Sequence, residues 1–341
     1  MANVLNQFLV FHDAIKLDDE NEILVEKREI ILKKLKEKIS PSAPGYSHFV
    51  QGSYAMSTGV KPIDGREYDI DVGLLFNMST EDHKPVEAKK WVFEALYGHT
   101  DSVEMKNPCI TVTYKNQPPF HVDITVYAAN NPDGHVYLAK GRPNSTPEKK
   151  FWELSDPQKL TKLVKDWFTD PDDRAQFRRV VRYMKRWKDE HFPDGGHAAP
   201  TGIGLTVSAM EYMEPNFLTD KFTNKRTYND LAALKNLIKK MLGAFMPVIG
   251  NDGKAVERLM VYKPTPPYED LFEKMTDSQM TTFKAKLESL LKALEEAEAE
   301  VDPVEACEIL KKQFGNDFPV PLKEDTAQWK RAAIVTGSAS A

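Results

Sequence analysis

Hydrophobic residues follow a strand-like pattern in the first part of the chain, after one helix. Helical spacing of Ile and Leu between about residues 21 and 39 predicts an N-terminal helix with a charged outer face. The stretches YDIDVGLLF, CITVTYK and FHVDITVYA are rich in β-branched and aromatic residues, so they predict strands. A helix is predicted between the first two, over PVEAKKWVFEALYGH. The pattern indicates a mixture of helices and strands without regular βαβ alternation.

Helical periodicity dominates after a connection rich in Pro, Gly and Asn at residues 131–150. Five later segments have helical spacing: DPQKLTKLVKDWF, RAQFRRVVRYMKRWKDEHF, TGIGLTVSAMEYM, LAALKNLIKKML and MTTFKAKLESLLKALEEAEAE. The end of the chain is small and polar, with too little apolar surface to order itself. We therefore predict an α+β protein with an N-terminal helix and a sheet-containing core over 1–150, a helical C-terminal lobe over 151–320 and a flexible tail over 321–341.

Composition limits the classes of function. The 341 residues include 46 Lys and Arg and 51 Asp and Glu, a net charge of −5 at pH 7, which favours small charged substrates over general nucleic-acid binding. Cys109 and Cys307 are far apart and complete no Cys/His cluster, so neither a disulfide framework nor a structural zinc is predicted. The sequence shows neither a signal peptide nor an apolar run of membrane-spanning length, and we expect a cytoplasmic protein.

Two aspartates on one predicted strand point to metal chemistry. Asp69 and Asp71 are two residues apart, so the period of two in a strand places both side chains on one face. Neighbouring carboxylates repel each other unless a cation neutralises them. Asp123 supplies a third carboxylate if its strand lies beside the first. A lone DxD pair is more often a strand end or a surface ion pair. Here the Gly-Ser loop upstream and Asp123 downstream favour a metal site instead.

A loop of small residues, GSYAMSTGV, precedes the aspartate strand. Gly52 lets the backbone approach a phosphate because it has no Cβ, and Ser53 adds a hydroxyl donor beside its own N–H. Three carboxylates suit a pair of Mg²⁺ ions about 3.5–4 Å apart that act on a nucleoside triphosphate. The loop and the aspartates together predict the two halves of a triphosphate site, with Mn²⁺ as an alternative metal.

These segments resemble the DNA polymerase β-like nucleotidyltransferases, whose pattern is a Gly-Ser loop, an hDhD strand and a third Asp on a later strand. Within that superfamily the chain is similar to the bacterial cGAS/DncV-like nucleotidyltransferases (CD-NTases), relatives of oligoadenylate synthetase. The likeness covers about residues 48–320, through the segments QGSYAMSTGVKP, YDIDVGLLF, HVDITVY, WELSDPQKL, VRYMKRWKD, TGIGLTVSAMEYM and FGNDFP.

The resemblance implies a nucleotidyltransferase core of mixed β-sheet with a helical lobe, in the bilobal cGAS/oligoadenylate synthetase architecture. It implies an enzyme that joins NTPs, ATP and GTP among them, into a cyclic di- or trinucleotide and releases pyrophosphate. In this family the product is a CBASS second messenger of anti-phage defence that activates an effector protein. No Cys/His insertion like the zinc thumb of the animal DNA sensor is found in the sequence, so a nucleic-acid activator is not implied.

The resemblance also assigns roles to individual residues. It implies that Asp69, Asp71 and Asp123 are catalytic and bind metal, with Asp123 helping to deprotonate the attacking hydroxyl. The implied nucleotide-binding residues are Gly52, Ser53, Lys185, Thr201 and, more weakly, Gln51. Lys185 has an alternative role in a solvated face formed with Arg182, Arg186 and Lys188. Thr201 has an alternative role as a helix cap.

Other functions stay open on the sequence alone. A different polymerase β-like enzyme that acts on RNA or tRNA ends shares the same motifs, although the net charge disfavours it. A non-catalytic nucleotide-binding scaffold is a second alternative, disfavoured by the complete set of carboxylates. The tail that ends at Ala341 is either a substrate for E1/E2-like conjugation, as the resemblance implies, or a frayed terminus.

Overall fold

The computed structural model describes residues 3–17, 22–63, 66–115, 119–192, 198–250 and 253–322. The helices are α1 (Leu5–Ile15), α2 (Glu22–Lys38), α3 (Gly52–Ala55), α4 (Pro85–Leu96), α5 (Pro157–Asp166), α6 (Pro171–His191), α7 (Gly202–Tyr212), α8 (Asp230–Gly243), α9 (Asp277–Ala299) and α10 (Pro303–Phe314), with a short 3₁₀ turn at Pro147–Lys149. The strands are β1 (Tyr46–Gln51), β2 (Tyr68–Phe76), β3 (Ser102–Met105), β4 (Cys109–Tyr114), β5 (Phe120–Ala128), β6 (Val136–Ala139), β7 (Trp152–Ser155), β8 (Phe217–Thr219), β9 (Arg226–Tyr228), β10 (Met246–Ile249) and β11 (Ala255–Arg258). The predicted α+β class is confirmed.

The chain divides into two compact units. The sheet unit consists of the described residues of Leu17–Thr169 together with Tyr262–Leu271. The helical unit consists of the described residues of Met1–Lys16, Asp170–Val261 and Phe272–Ala341. These limits differ from the predicted division at residue 150. The predicted flexible tail falls, apart from its first two residues, outside the described part of the chain.

A mixed sheet forms the centre of the sheet unit. Five of its strands follow the order β1-β2-β5-β4-β3, while β6 pairs with β5 and β7 pairs with β6. β2 and β5 are parallel neighbours, and the other pairs are antiparallel. The strands β2, β4 and β5 confirm the three predicted from the sequence. β2 and β5 carry all the predicted carboxylates, so their pairing decides the geometry of the site.

The two faces of this sheet differ in chemistry because side chains alternate along each strand. Ile70 and Val72 on β2, with Val122 and Ile124 on β5, are buried on one face in a core with apolar residues of α2 and α4. The intervening residues of the same strands are polar and face the other way. The buried face therefore fixes the strands that present the aspartates.

α6 is the longest element of the helical unit after α9, and it connects several neighbours. It begins at Pro171. The capping residue Asp170 precedes it, and Asp170 Oδ1 accepts hydrogen bonds from backbone N–H groups of the first turn. Asp230 at the start of α8 accepts hydrogen bonds from Arg179 Nε at 2.6 Å and from the Tyr183 hydroxyl at 2.9 Å. This buried network joins α6 to α8.

The first helix of the chain, α1, packs within the helical unit. Phe8 and Phe11 are fully buried, and their rings contact Tyr183 of α6 and Phe314 of α10. α1 was not predicted from the sequence, and the single N-terminal helix that was predicted corresponds to α2. None of the helices in the described residues is both long and apolar enough to cross a membrane.

Candidate active site

Two cross-strand pairs bring the predicted carboxylates together on the polar face of the sheet. Asp71 on β2 is paired with Asp123 on β5, and Asp123 is paired in turn with Thr111 on β4. Two residues earlier on the same strands, Asp69 is paired with His121. Directly paired residues point to the same face of a sheet. The parallel pairing of β2 with β5 thus places all three aspartates on neighbouring strands of one face.

Asp69, His121 and Asp123 form the group best arranged to hold a cation. Each offers a ligand atom, and these atoms all lie within 4.8 Å of one another. The side chain of Asp69 is 53% exposed and that of His121 is 23% exposed, so solvent reaches the group. Among the described residues Asp71 is not part of it, although its strand position is next to Asp123. His121 was not predicted as a site residue from the sequence. Its position two residues before Asp123 on the same strand was the feature that could have indicated it.

His121 lies between two acidic residues. Its Nε2 is 3.2 Å from Asp69 Oδ1, and its Nδ1 is 3.0 Å from Glu67 Oε2. The hydrogen bond to Asp69, opposed by burial and supported by the charges of Asp69 and Asp123, raises the pKa of His121 to about 9. At neutral pH the ring is therefore positively charged without a metal. This charge offsets part of the repulsion among the carboxylates.

Asp123 is held from the side of β4. The Thr111 hydroxyl donates a short hydrogen bond to Asp123 Oδ1, and Thr111 itself is buried. The neighbouring Cys109 is buried too, and burial together with the Asp123 charge raises the pKa of its thiol to about 12. Cys109 thus stays a neutral thiol at physiological pH. Thr111 fixes one carboxylate oxygen, which determines where the other oxygen points.

The Gly-Ser loop lies against Asp71. Gly52 has a φ of +71°, a left-handed conformation that glycine adopts without strain. A Cβ on Gly52 would lie 1.8 Å from Asp71 Oδ2, so any larger residue at this position would displace this carboxylate. The Ser53 carbonyl accepts a hydrogen bond from the Thr58 backbone N–H at 3.0 Å, which closes the loop. The loop and the aspartate strand are thus adjacent, while their contact with phosphate stays a prediction.

Gln51 is engaged within the sheet. Its Nε2 donates to Thr125 Oγ1 at 3.0 Å, and its Oε1 accepts from the Tyr127 hydroxyl at 2.9 Å. All three side chains belong to a buried network on the polar face. Both polar atoms of the Gln51 amide therefore hold the end of β1 in place.

Lys185 and Thr201 lie in the helical unit, close to the start of α7. Lys185 is 8% exposed, and its Cε is 3.7 Å from the position of a Cβ on Gly202. Thr201 Oγ1 accepts a hydrogen bond from the Gly204 backbone N–H at 3.0 Å, so it caps α7 as its alternative role required. The packing thus brings these two predicted residues to one helix N-terminus.

The solvated basic face considered for Lys185 is wrong. Arg182 is 3% exposed and Arg186 is 2% exposed, so both are buried together with Lys185. Their partners come from distant parts of the chain, since Arg182 Nη1 is 3.1 Å from His12 Nε2 and Arg186 Nη2 is 3.1 Å from Asp317 Oδ2. The burial of three cations on one helix requires such partners.

The donor set on the polar face suits a divalent cation. It combines carboxylate oxygens with one imidazole nitrogen, both of which are common metal ligands. The space that a Cβ of residue 52 would fill is taken by the Asp71 carboxylate, which shows how closely backbone and acid approach there. The residues present therefore fit the metal that the sequence analysis predicted.

A comparison with known proteins matches part of the sheet unit to a described protein family. Residues 47–127 match the model of the nucleotidyltransferase domain of the DncV-like cyclic GMP-AMP synthases. Over this range the chain is similar to the bacterial cGAS/DncV-like nucleotidyltransferases. The predicted relationship is confirmed, and the matched range contains the Gly-Ser loop and all three aspartates.

Individual relatives agree with this family. A cyclic GMP-AMP synthase of Escherichia albertii is 26% identical over 181 residues, which cover 50% of this chain and 38% of the relative. The curated relatives are matched over about half of their length or less. The similarity to these synthases therefore covers part of each protein and includes the nucleotidyltransferase domain.

Solved structures share the fold. The CD-NTase CdnG of Bradyrhizobium diazoefficiens, in complex with GTP, matches with a TM-score of 0.64 and 17% identity over 92% of this chain and 96% of that one. The Vibrio cholerae cyclic AMP-GMP synthase DncV, in complex with the linear intermediate 5′ pppA(3′,5′)pG, matches with a TM-score of 0.58 and 21% identity over 80% and 69%. These likenesses confirm a polymerase β-like nucleotidyltransferase fold with a helical lobe.

Proposed function

We propose that this DncV-like protein is a cyclic oligonucleotide synthase that joins nucleoside triphosphates by metal-dependent nucleotidyl transfer. The observation that carries the proposal is the set of three carboxylates on adjacent strands, beside a Gly-Ser loop, within the range that matches the DncV-like domain. The DncV complex with pppA(3′,5′)pG supports ATP and GTP as substrates and a cyclic dinucleotide as product, with a trinucleotide as the alternative.

In the proposed reaction a ribose hydroxyl of one nucleotide attacks the α-phosphorus of a second. Asp123 accepts the hydroxyl proton, and its orientation for this step is set by the hydrogen bond from Thr111. The new P–O bond forms as the bond between the α-phosphorus and the bridging oxygen breaks, and pyrophosphate leaves. The same exchange within the linear product closes the ring and releases a second pyrophosphate. A bound divalent cation supplies charge neutralisation and lowers the pKa of the attacking hydroxyl.

We propose Asp69, Asp71 and Asp123 as the residues that hold Mg²⁺, or Mn²⁺ in its place. The acidic face of the sheet, formed by Asp69, Asp71, His121 and Asp123, supports this assignment because it brings three carboxylates together on neighbouring strands. Binding and orientation of the triphosphate make up much of the catalytic effect in this reaction class. These residues thus act by positioning and charge neutralisation.

In the sheet unit we propose Gly52 and Ser53 as triphosphate contacts. In the helical unit, taken by itself, we propose Lys185 and Thr201 as nucleotide contacts. Support for the second pair comes from the ammonium group near the start of α7, since both a cation and a helix N-terminus attract anions. Gln51 is the weakest of the proposed contacts, because both polar atoms of its amide already have partners. We propose that Gln51 supports the Gly-Ser loop by holding the end of β1 in place.

The biological role proposed is anti-phage signalling, in which the cyclic product activates a separate effector protein. The family of the nucleotidyltransferase domain supports this role. Conjugation of the C-terminal tail by E1/E2-like enzymes belongs to the same proposal. The tail residues 323–341, with Ala341, lie outside the described residues.

The test is product formation from all four NTPs with Mg²⁺ or Mn²⁺, followed by phosphatase treatment and mass spectrometry. We expect a phosphatase-resistant cyclic nucleotide from the wild type and from Asp101→Asn, an exposed aspartate of the sheet unit outside the site. The double variant Asp69→Asn/Asp71→Asn should make none while it keeps the wild-type unfolding transition. Product from the double variant would refute the metal assignment. In a parallel reaction that also contains RNA, nucleotides added only to RNA ends would favour an RNA nucleotidyltransferase, and nucleotide binding without turnover would favour a scaffold.

A further inference from the structure

We propose that His121 is itself a metal ligand, so that one cation position of this site has a mixed Asp69, His121 and Asp123 ligand set. Such a position takes first-row transition ions such as Mn²⁺ or Co²⁺ in preference to Mg²⁺. The inference rests on the proposed function and deepens it, because it concerns which metal the site takes.

The side chains of Asp69, His121 and Asp123 lie close together. Their ligand atoms lie within 4.8 Å of one another without a metal. An ion bonded at about 2.1 Å to each ligand holds those atoms no more than about 4.2 Å apart. Small side-chain rotations close that difference, because Asp69 is largely exposed on the surface of the group. No movement of β2 or β5 is needed.

The orientation of the His121 ring carries the second step. Nδ1 is 3.0 Å from Glu67 Oε2, while Nε2 is directed toward Asp69 and lies 3.2 Å from its Oδ1. Histidines that bind metal usually donate their other ring N–H to a carboxylate, which fixes the tautomer and presents the ligating nitrogen. Glu67 is in the position of that carboxylate. The chain therefore holds the nitrogen Nε2 on the side of the two aspartates.

The register of the sheet carries the third step. Parallel pairing of β2 with β5 puts His121 opposite Asp69, and Asp123 follows His121 on the same face of β5. The imidazole thus belongs to the same surface as the carboxylates. Imidazole nitrogen is a good ligand for transition metals and a poor one for Mg²⁺, which prefers oxygen from carboxylates, phosphates and water. A ligand set with one nitrogen shifts the preference accordingly.

The experiment measures Mn²⁺ binding to the full-length protein by electron paramagnetic resonance, without nucleotide or turnover. Pulsed measurement of the bound Mn²⁺ (ESEEM) detects coupling to the ¹⁴N nucleus of a ligating imidazole. We expect this coupling in the wild type and its loss in His121→Gln, with Mn²⁺ affinity about 10- to 100-fold weaker. Affinity for Mg²⁺, measured by competition against Mn²⁺, should fall by a much smaller factor.

The matched control is His83→Gln. His83 also has its Nδ1 near a glutamate, 3.2 Å from Glu87 Oε1, but it is not part of the acidic face. This variant should keep the ¹⁴N coupling and the affinity of the wild type. Glu67→Gln tests the orienting carboxylate, and it should retain the coupling while Mn²⁺ affinity falls by less than in His121→Gln.

Three results would overturn the proposal: Mn²⁺ bound to the wild type without ¹⁴N coupling, wild-type Mn²⁺ affinity in a folded His121→Gln, or no Mn²⁺ binding at all. The wild-type spectrum decides the question even if His121→Gln does not fold. The result is separable from the proposed function. A wild type that makes cyclic product with an all-oxygen Mn²⁺ site would refute the ligand assignment alone, whereas ¹⁴N coupling without product would refute the synthase alone.

Discussion

Gly52→Ala is the sharpest test of the active-site geometry, because it adds one carbon atom at the point where the loop meets Asp71. The new Cβ would lie 1.8 Å from Asp71 Oδ2, far inside any contact distance. The carboxylate must move by more than about 1 Å to reach an ordinary contact, and a displacement of that size in a reacting centre costs about 100-fold in rate. We therefore expect turnover to fall by about two orders of magnitude.

The backbone adds a second and separable effect. Residue 52 has a φ of +71°, and an alanine in this left-handed region costs about 1–2 kcal/mol. Gly98→Ala is a matched control, because Gly98 has a φ of +72° and a Cβ there would meet nothing within 4 Å. Both variants should lose this backbone contribution to the free energy of unfolding in urea, with a larger loss in Gly52→Ala because of its clash with Asp71, and only Gly52→Ala should lose turnover.

The assay compares initial rates of product formation with urea unfolding for the wild type and both variants. Wild-type turnover in Gly52→Ala would show that the Asp71 carboxylate does not need its present position, and the reasoning about the loop would fail. An equal loss of turnover in Gly98→Ala would instead attribute the effect to stability. Each result is read at the same temperature and metal concentration.

Three further predictions concern the support of the site and of the fold. Thr111→Val removes the hydroxyl that holds Asp123, so turnover should fall about 10- to 100-fold, whereas Thr111→Ser should restore most of it; equal rates in both would contradict the role. Lys89 is buried, and its ammonium donates to three backbone carbonyls at 2.5–2.8 Å. Lys89→Met leaves these acceptors without that donor, so urea unfolding should show a loss of about 3 kcal/mol or more, and a loss below about 1 kcal/mol would count against it. Burial, followed by the charge of Arg182, lowers the pKa of His12 to about 4, so the folded protein holds His12 neutral. The stability this provides is complete above the unfolded pKa of 6.5 and is lost as pH falls toward 4, by about 1–2 kcal/mol after allowance for solvent screening. His12→Gln should lose less stability between pH 7 and pH 4.5 than the wild type, and an identical pH dependence would exclude His12 as the cause.

The three aspartates were predictable because their signals are local. Asp69 and Asp71 share a strand face by their spacing alone, and Asp123 is conspicuous in an apolar strand. The spacing of two residues already places His121 on the same face as Asp123, but its position opposite Asp69 depends on the register between two strands that are about fifty residues apart in sequence. Register comes from pairing, which a single sequence does not encode locally.

The burial of Arg182 and Arg186 on α6 was likewise not predictable from the local sequence. Charged residues at helical spacing predict a solvated face, and such a prediction holds unless distant segments supply partners. Here His12 on α1 and Asp317 after α10 contact Arg182 and Arg186. Both partners come from parts of the chain outside the local pattern of α6. The helical periodicity was therefore sufficient to locate α6 but not to assign its faces.

Several contacts offset the repulsion among the carboxylates of the acidic face. His121 offsets the charge of Asp69, Thr111 hydrogen-bonds Asp123, and Gly52 leaves room for Asp71. On the reverse face, Val72 and Val122 are fully buried in the core and hold the two strands in register. The strands therefore keep the carboxylates together before any cation arrives, and a cation that binds there gains charge neutralisation without having to order the backbone. This arrangement accounts for how a small set of side chains can form a metal site whose ligands are already aligned.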